Sequence, residues 1–197
     1  MSRKEPQALP MLSYMTGLLN VLSETVVTDL SSEILNFDES ASQVLTCFQE
    51  CHQRGSKIIF VGNGGSAGIT SHMAVDYNKN VGLRALSMND GAMLTCLGND
   101  YGYDHVFEKQ IEFLGVAGDV LVAISSSGNS ANILNAVDAA RNKNMQVITL
   151  SGFSSDNKLR KTGDYNFFIS SERYGYVELA HLTICHAIAD MAGEWRP

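Results

Sequence analysis

Two short segments of the sequence combine glycine with small polar residues in a way that suits phosphate binding. The first, VGNGGSAG at residues 61–68, follows an apolar run and opens a helix-like stretch. Glycines at such a corner let the backbone turn tightly and approach an anion, and the N–H groups and dipole of a helix N-terminus favour negative charge. The pattern is neither GxGxxG nor GxxxxGK[ST], so a dinucleotide or ATP is disfavoured.

The second segment, ISSSGNSAN at residues 124–132, again joins a strand-like run to a helix-like stretch. It contains four serines around one glycine: Ser125, Ser126, Ser127 and Ser130. A helix N-cap accounts for one of these hydroxyls but not for four. Together with nearby amides, the hydroxyls can ligate a phosphate monoester without a positively charged side chain.

Titratable residues occur at helical spacing after the first corner and near the C-terminus. His72 and Asp76 are four residues apart, so on a helix they share one face and could share a ligand or a proton. A surface hydrogen bond between them is the alternative. Glu178, His181 and His186 lie among apolar neighbours, and Glu178 and His186 would be about 80° apart around a helix and roughly 12 Å apart along it. One of these histidines could instead be a satisfied core residue.

The rest of the chain predicts a framework for these residues. After Gly55, short apolar runs alternate with helix-length stretches, which is typical of βαβ units in a parallel sheet covered on both faces. The predicted strands are KIIFVG, LRALSM, DVLVAIS, MQVITLS and YNFFIS. The predicted helices are 66–77, 91–97, 104–114, 129–143 and 176–194, after two leading helices at about 8–30 and 38–54. We expect an α/β fold, a three-layer αβα sandwich with a doubly wound five-stranded parallel sheet, whose carboxyl edge carries both corners.

Length and composition limit the class of protein. The chain has 197 residues, of which 45% are hydrophobic and 18% charged, so we expect a single domain over 1–197. Residues 1–54 would form the N-terminal helices, and 55–197 the sheet core and the last helix. The net charge of −7 argues against a nucleic-acid partner. Since no membrane span or signal peptide is apparent, we expect no membrane partner and a cytoplasmic location.

Taken together, the motifs resemble the SIS (sugar isomerase) family, and most closely its sedoheptulose 7-phosphate isomerases, also called phosphoheptose isomerases. The resemblance rests on GNGGSA, LGNDYGY, GDVLVAISSSGNSANILNAVDAAR and the spaced acid and histidines of the final helix, and it covers nearly the whole chain. It implies an SIS fold that assembles as a homotetramer with active sites at subunit interfaces. It also implies an aldose–ketose isomerisation through a cis-enediol, giving D-glycero-D-manno-heptose 7-phosphate for lipopolysaccharide or another heptose-containing glycan.

The resemblance also implies roles for individual residues. It assigns catalysis to Asp76 and His186 and does not decide which of the two is the base. Zinc has been associated with members of the family, through positions that match His72, Asp76, Glu178 and His186. The sugar-phosphate site is matched by a larger set: Asn63, Gly64, Ser66, Asp90, Ser125, Ser126, Ser127, Ser130 and Glu178.

The chain departs from the family pattern in the predicted site. Asp76 stands where glutamate is usual and Glu178 where glutamine is usual, so the site gains negative charge and loses one methylene of reach. Segment 76–90 is shorter than usual and lacks an arginine, for which Lys79 is a candidate stand-in. The extra carboxylate favours a divalent metal, since two histidines with two carboxylates are a reasonable zinc set. A carboxylate that binds zinc tightly is a poor base, so base catalysis and metal assistance are alternatives.

Two other functions stay open at the level of sequence. The altered segment 76–90 could mark a different ketose phosphate as the substrate. Some members of the superfamily are non-catalytic, as sugar-phosphate sensors or as tetrameric partners of the bacterial replication initiator. The histidines and acids at 72, 76, 178 and 186 favour an enzyme, because a scaffold has no use for that set.

The first predicted helix carries apolar residues on more than one side. They are Leu12, Met15, Leu18, Leu19 and Leu22. Packing on one sheet face would need fewer of them, so the pattern predicts a helical interface between subunits.

Overall fold

The computed structural model describes residues 10–193 and contains a seven-stranded sheet. Its strands are β1 Val26–Thr28, β2 Ile34–Leu35, β3 Ile58–Gly62, β4 Ala85–Ser87, β5 Val120–Ser125, β6 Gln146–Gly152 and β7 Tyr165–Ile169. They lie in the order β2-β1-β7-β6-β5-β3-β4. The five strands from β3 to β7 pair in parallel, which confirms the predicted parallel sheet.

The expected count of five strands is too low, because an antiparallel hairpin extends the sheet beyond β7. β1 pairs antiparallel with both β2 and β7. The first helix was predicted to reach residue 30, so Val26 was wrongly placed on it. The Asp29 carboxylate accepts the N–H groups of Ser31 and Glu33 at 2.8 and 3.0 Å and closes the hairpin turn. The β-branched run before Asp29 therefore becomes a short strand, with Val27 buried.

Apart from the first helix, which ends at Ser23, the α-helices of the described range lie close to the predicted positions. They are α1 Met11–Ser23, α2 Phe37–Gln53, α3 Gly65–Asp76, α4 Gly91–Tyr101, α5 Val106–Leu114, α6 Ala131–Asn142 and α7 Tyr174–Asp190. The predicted helix residues before 10 and at 194 lie outside the described range. No helix within residues 10–193 is both long and apolar enough to cross a membrane.

Helices cover the sheet on both faces. One core contains buried residues of α2, α3 and α7, and the other contains those of α4, α5 and α6. In β3, Phe60 belongs to the first core and its neighbour Ile59 to the second. This alternation follows from the pleat of a strand that is buried on both sides, and it confirms the three-layer αβα arrangement.

The direction of winding reverses between β3 and β5. From β3 the chain moves outward to β4, and it then returns to the other side of β3 to form β5. A crevice forms at such a reversal, beyond the carboxyl ends of the two strands. The two glycine-bearing corners follow β3 and β5, so the fold brings them together there.

Candidate active site

The first corner joins β3 to α3 and requires glycine at two positions. Gly64 is the N-cap of α3 and has φ 54°, in the left-handed region that favours glycine. A Cβ on Gly62 would lie 2.9 Å from the backbone of Ser66. Ser66 itself is buried in the first turn of the helix. The sequence therefore forms a tight corner with backbone N–H groups at its surface.

The second corner joins β5 to α6 and is held by its own hydroxyls. Ser125 Oγ lies 3.4 Å from Ser130 Oγ and accepts the N–H of Gly128 at 3.2 Å. Gly128 has φ 61°, again in the left-handed region. Ser127 Oγ accepts the N–H of Asn129 at 3.3 Å. Ser125 and Ser126 are buried, so the corner is compact before any ligand binds.

Both corners line a cavity of about 240 Å³, which we call the cradle. Its walls include eight of the nine residues predicted for the sugar-phosphate site: Asn63, Gly64, Ser66, Ser125, Ser126, Ser127, Ser130 and Glu178 of α7. Two helix N-termini and a group of hydroxyls face one small space. Such a space suits a phosphate monoester.

Asp90 lies outside the lining of the cradle. It is the N-cap of α4, and its Oδ1 accepts the N–H of Met93 at 2.9 Å. The structure therefore gives this carboxylate a capping role, and the predicted contact with substrate is not part of the cradle.

A second group of predicted residues converges where α3 meets α7. Asp76 Oδ2 lies 3.5 Å from His72 Nε2 and 3.5 Å from His186 Nδ1. The centroids of the two imidazole rings are 5.1 Å apart. Asp76 is the least exposed of the three, with 17% of its side chain accessible. We call His72, Asp76 and His186 the triad.

The triad opens into a cavity of about 740 Å³. Lys79 and Asn80 also line it, and they belong to a π-helical turn, Tyr77–Val81, that continues α3. Asn78 fixes this turn, because its side chain donates to Ala74 O at 2.7 Å and accepts the N–H of Ala85 at 3.2 Å. The candidate stand-in Lys79 therefore borders the same space as the triad.

Glu178 lies apart from the triad, which corrects the predicted four-residue metal set. Its carboxylate lies against Gly65, where a Cβ would come within 2.6 Å of Glu178 Cδ. Glu178 and His186 are eight residues apart, which is roughly 12 Å along α7. Within the described range, the group able to hold one ion comprises His72, Asp76 and His186.

The three remaining donors fit a zinc ion. They offer two imidazole nitrogens and one carboxylate oxygen, with all ligand atoms within 4.8 Å of one another. Catalytic zinc sites have three such protein ligands and an open fourth position. Neither Glu178 nor a fourth protein ligand is required for that chemistry.

His181 belongs to the core, as the packing alternative in the sequence allowed. It is fully buried, and its Nε2 donates to the carbonyl of Ser151 on β6 at 3.2 Å. Its Nδ1 is buried without a hydrogen-bond partner among the described residues. Burial disfavours the charged imidazolium and lowers the pKa of His181 to about 4. This histidine therefore anchors α7 in a neutral form.

Among the residues that sequence reasoning missed at the cradle are Tyr174 and Asn132. Tyr174 lines it from the first turn of α7. Asn132 is buried behind it and exchanges hydrogen bonds with Asn63. Asn132 lies inside the second corner segment, so its polar side chain directly after the serines was the signal that could have found it.

Comparison with known proteins gives consistent results. A family model described as the SIS domain matches residues 22–152. The chain is 34% identical to a phosphoheptose isomerase of Aneurinibacillus thermoaerophilus over 188 residues, which is 92% of this chain and 91% of that protein. It is 38% identical to a phosphoheptose isomerase of Neisseria gonorrhoeae over 160 residues, covering 77% of this chain and 81% of that protein.

Solved structures of phosphoheptose isomerases have the same fold. The structure from Neisseria gonorrhoeae superposes with a TM-score of 0.77 at 33% identity, covering 92% of this chain and 96% of that one. The structure from Francisella tularensis gives a TM-score of 0.79 at 28% identity, covering 92% and 95%.

Proposed function

The chain belongs to the SIS domain family, and we propose that it isomerises sedoheptulose 7-phosphate to D-glycero-D-manno-heptose 7-phosphate. One observation carries the proposal: a phosphate cradle and an acid–base group lie at two points along the same pair of helices. Gly65 and Glu178 meet at the cradle, and Asp76 and His186 meet at the triad. The offset of roughly 12 Å along α7 suits an elongated open-chain sugar with a terminal phosphate.

The cradle would bind the phosphate through the serines of the second corner and the backbone of the first. The first corner contributes Asn63, Gly64 and Ser66, and the second corner contributes Ser125, Ser126, Ser127 and Ser130. Glu178 borders the same space, where a carboxylate can accept hydrogen bonds from sugar hydroxyls.

Asp76 and His186 would carry the proton transfers. A base removes the proton from the carbon next to the carbonyl, and an acid moves a proton between the two oxygens of the cis-enediol. The 3.5 Å between Asp76 Oδ2 and His186 Nδ1 is slightly longer than a hydrogen bond, and such contacts often shorten when substrate binds. We assign the two roles to this pair jointly.

Zinc is the proposed cofactor, held by His72, Asp76 and His186. When bound, it would polarise the substrate carbonyl and stabilise negative charge on the adjacent oxygen. His72 serves the metal alone in this scheme. Asp76 and His186 each serve either the metal or the proton transfer.

The product would supply a heptose-containing glycan such as lipopolysaccharide. A different sugar phosphate, or a non-catalytic sugar-phosphate regulator, is the competing function. The grouping of two histidines and a carboxylate beside the cradle favours the enzyme, because phosphate sensing alone requires only the cradle.

We further propose that the protein, a single SIS domain, acts as a homotetramer. Helix α1 contains no buried residue and packs by one side only, with Tyr14 against Tyr176 of α7. Its other side exposes large apolar residues: Met11, Leu12, Met15 and Leu19, at 57–78%. A second copy of the chain would cover this surface.

The test is turnover of sedoheptulose 7-phosphate with zinc content measured on the same sample, for the parent, Asp76→Asn and Asp76→Glu. We expect the parent to turn over and Asp76→Asn to be inactive. Zinc lost together with activity would make Asp76 a metal ligand, and zinc retained would make it the base. Asp76→Glu restores the usual family residue and should keep activity. If the parent binds sugar phosphates but does not turn them over, the proposed enzymatic activity is refuted.

A further inference from the structure

A reciprocal pair of asparagine side chains joins the two corners of the cradle. Asn63 precedes the N-cap of α3, and Asn132 lies in the first turn of α6. Each donates its Nδ2 to the Oδ1 of the other, at 2.9 Å in both directions. The hydroxyl of Tyr103 donates to the same Asn63 Oδ1 at 3.2 Å. These contacts, which we call the amide bridge, connect segments 69 residues apart.

Burial makes the amide bridge a fixed element. Asn132 is only 3% exposed, so water cannot replace a lost partner. A reciprocal pair also fixes the orientation of both amide planes, because turning either one would place oxygen against oxygen. The two corners therefore have a defined separation in the absence of ligand.

The amide bridge opposes an electrostatic repulsion. The N-termini of α3 and α6 border the same small cavity, and each carries partial positive charge. Neither N-cap, Gly64 nor Ser130, makes a side-chain capping bond to its own helix. The two N-termini therefore repel each other, and the amide bridge opposes that repulsion.

We propose that Asn132 is a positioning residue, which together with Tyr103 orients Asn63 and presets the distance between the two phosphate-binding corners. The hydrogen bonds already made by Asn63 leave one N–H of its amide for substrate. Asn63 therefore acts mainly by holding the backbone of the first corner. The identity of the sugar in this inference rests on the proposed function. The binding of its phosphate rests on the geometry of the cradle alone.

The experiment compares phosphate binding and steady-state kinetics of the parent with those of Asn132→Leu and Tyr103→Phe. Asn132→Leu keeps the volume and removes both amide bonds. We expect the Kd of inorganic phosphate, measured by calorimetry, and the KM for sedoheptulose 7-phosphate to rise together by about tenfold. The kcat should change by less than about threefold and zinc content should stay constant, because the triad is not touched.

Tyr103→Phe keeps the proposal testable even if Asn132→Leu fails to fold. Tyr103 is 58% exposed and the change removes only a hydroxyl, so the fold should survive. The Kd of inorganic phosphate and the KM for sedoheptulose 7-phosphate should rise by about two- to threefold, as expected for the loss of one neutral hydrogen bond. The control is Asn135→Ala, one turn along α6, whose side chain donates to Asp104 O at 2.8 Å and lies outside the cradle.

Unchanged phosphate affinity in Tyr103→Phe and in a folded Asn132→Leu would overturn the proposal. A fall in kcat at constant KM would overturn it as well, because it would place the effect at the triad. A parent that binds phosphate but does not isomerise sedoheptulose 7-phosphate would refute the proposed function and leave the phosphate measurements to test the amide bridge.

Discussion

The cradle and the triad differ in the chemical groups that form them. The cradle consists of backbone corners, small hydroxyls and helix N-termini at the carboxyl edge of the sheet, around a cavity of about 240 Å³. The triad consists of titratable side chains on two neighbouring helices, and it opens into a cavity of about 740 Å³. We therefore expect the backbone corners to determine the class of ligand at the cradle, and individual side chains to determine the chemistry at the triad. Substitutions in the two regions should therefore differ in kinetic effect.

The largest effect is expected at His186. His186→Ala should lower kcat by about 100-fold or more, because positioned acid–base groups contribute on that scale, with little change in phosphate affinity. Steady-state kinetics and calorimetry with inorganic phosphate measure the two quantities. His52→Ala, a histidine of α2 outside both cavities, is the control. A variant that keeps its kcat would remove His186 from the chemistry.

At Ser130 we expect the opposite kinetic effect, a change in KM rather than in kcat. Ser130→Ala should raise KM for sedoheptulose 7-phosphate by about tenfold, since a hydrogen bond to a charged group contributes about 1.5–3 kcal/mol, and should leave kcat nearly constant. Ser42→Ala removes a serine on α2 far from the cradle and should change neither quantity. A loss of kcat at constant KM would contradict the division between the two regions.

Helix α7 serves both regions, and His181 ties its middle to β6. The folded pKa of His181, about 4, lies below its ordinary value of 6.5, so at pH 5 the unfolded state binds more protons. The free energy of unfolding should therefore fall by about 2 kcal/mol from pH 7 to pH 5 on account of this residue. Urea unfolding of the parent and His181→Gln at both pH values measures it. An equal fall in both proteins would contradict the neutral anchor.

Two glycines of α3 give the smallest predicted change and test the placement of Glu178. Gly68 has open space around it, so Gly68→Ala should stabilise the helix by about 0.5–1 kcal/mol. Gly65→Ala should instead destabilise the protein and raise KM, because the new Cβ would displace Glu178. Thermal unfolding of the pair measures the contrast. Equal stabilisation by both would mean that Glu178 does not pack on Gly65.

The sequence predicted the cradle more completely than the triad for physical reasons. Strand–glycine–helix corners are local patterns, and parallel strands bring their carboxyl ends together, so eight of the nine residues predicted for the sugar-phosphate site line one cavity. The convergence of His72, Asp76 and His186 needed the packing of α3 on α7, which the resemblance supplied. The metal set included Glu178 because its carboxylate is a suitable donor. The rise along α7 separates it from His186, so it does not join the other three donors.

Other features depended on long-range contacts that a linear pattern does not contain. The β1–β2 hairpin was missed because its strands have only three and two residues, too short for a periodic signal. Asn132 lies in the predicted helix 129–143, and the sequence does not reveal its pairing with Asn63, which is 69 positions away. Asp90 followed a strand end, as a ligand-binding residue would, yet it caps a helix.

The most direct test of the central claim, that one sugar phosphate spans the cradle and the triad, is turnover of sedoheptulose 7-phosphate followed by NMR at limiting and saturating substrate. The parent should form D-glycero-D-manno-heptose 7-phosphate. Ser130→Ala should regain the parent rate at saturation, and His186→Ala should remain inactive there. No product from the parent, or recovery of His186→Ala at saturation, would contradict the account.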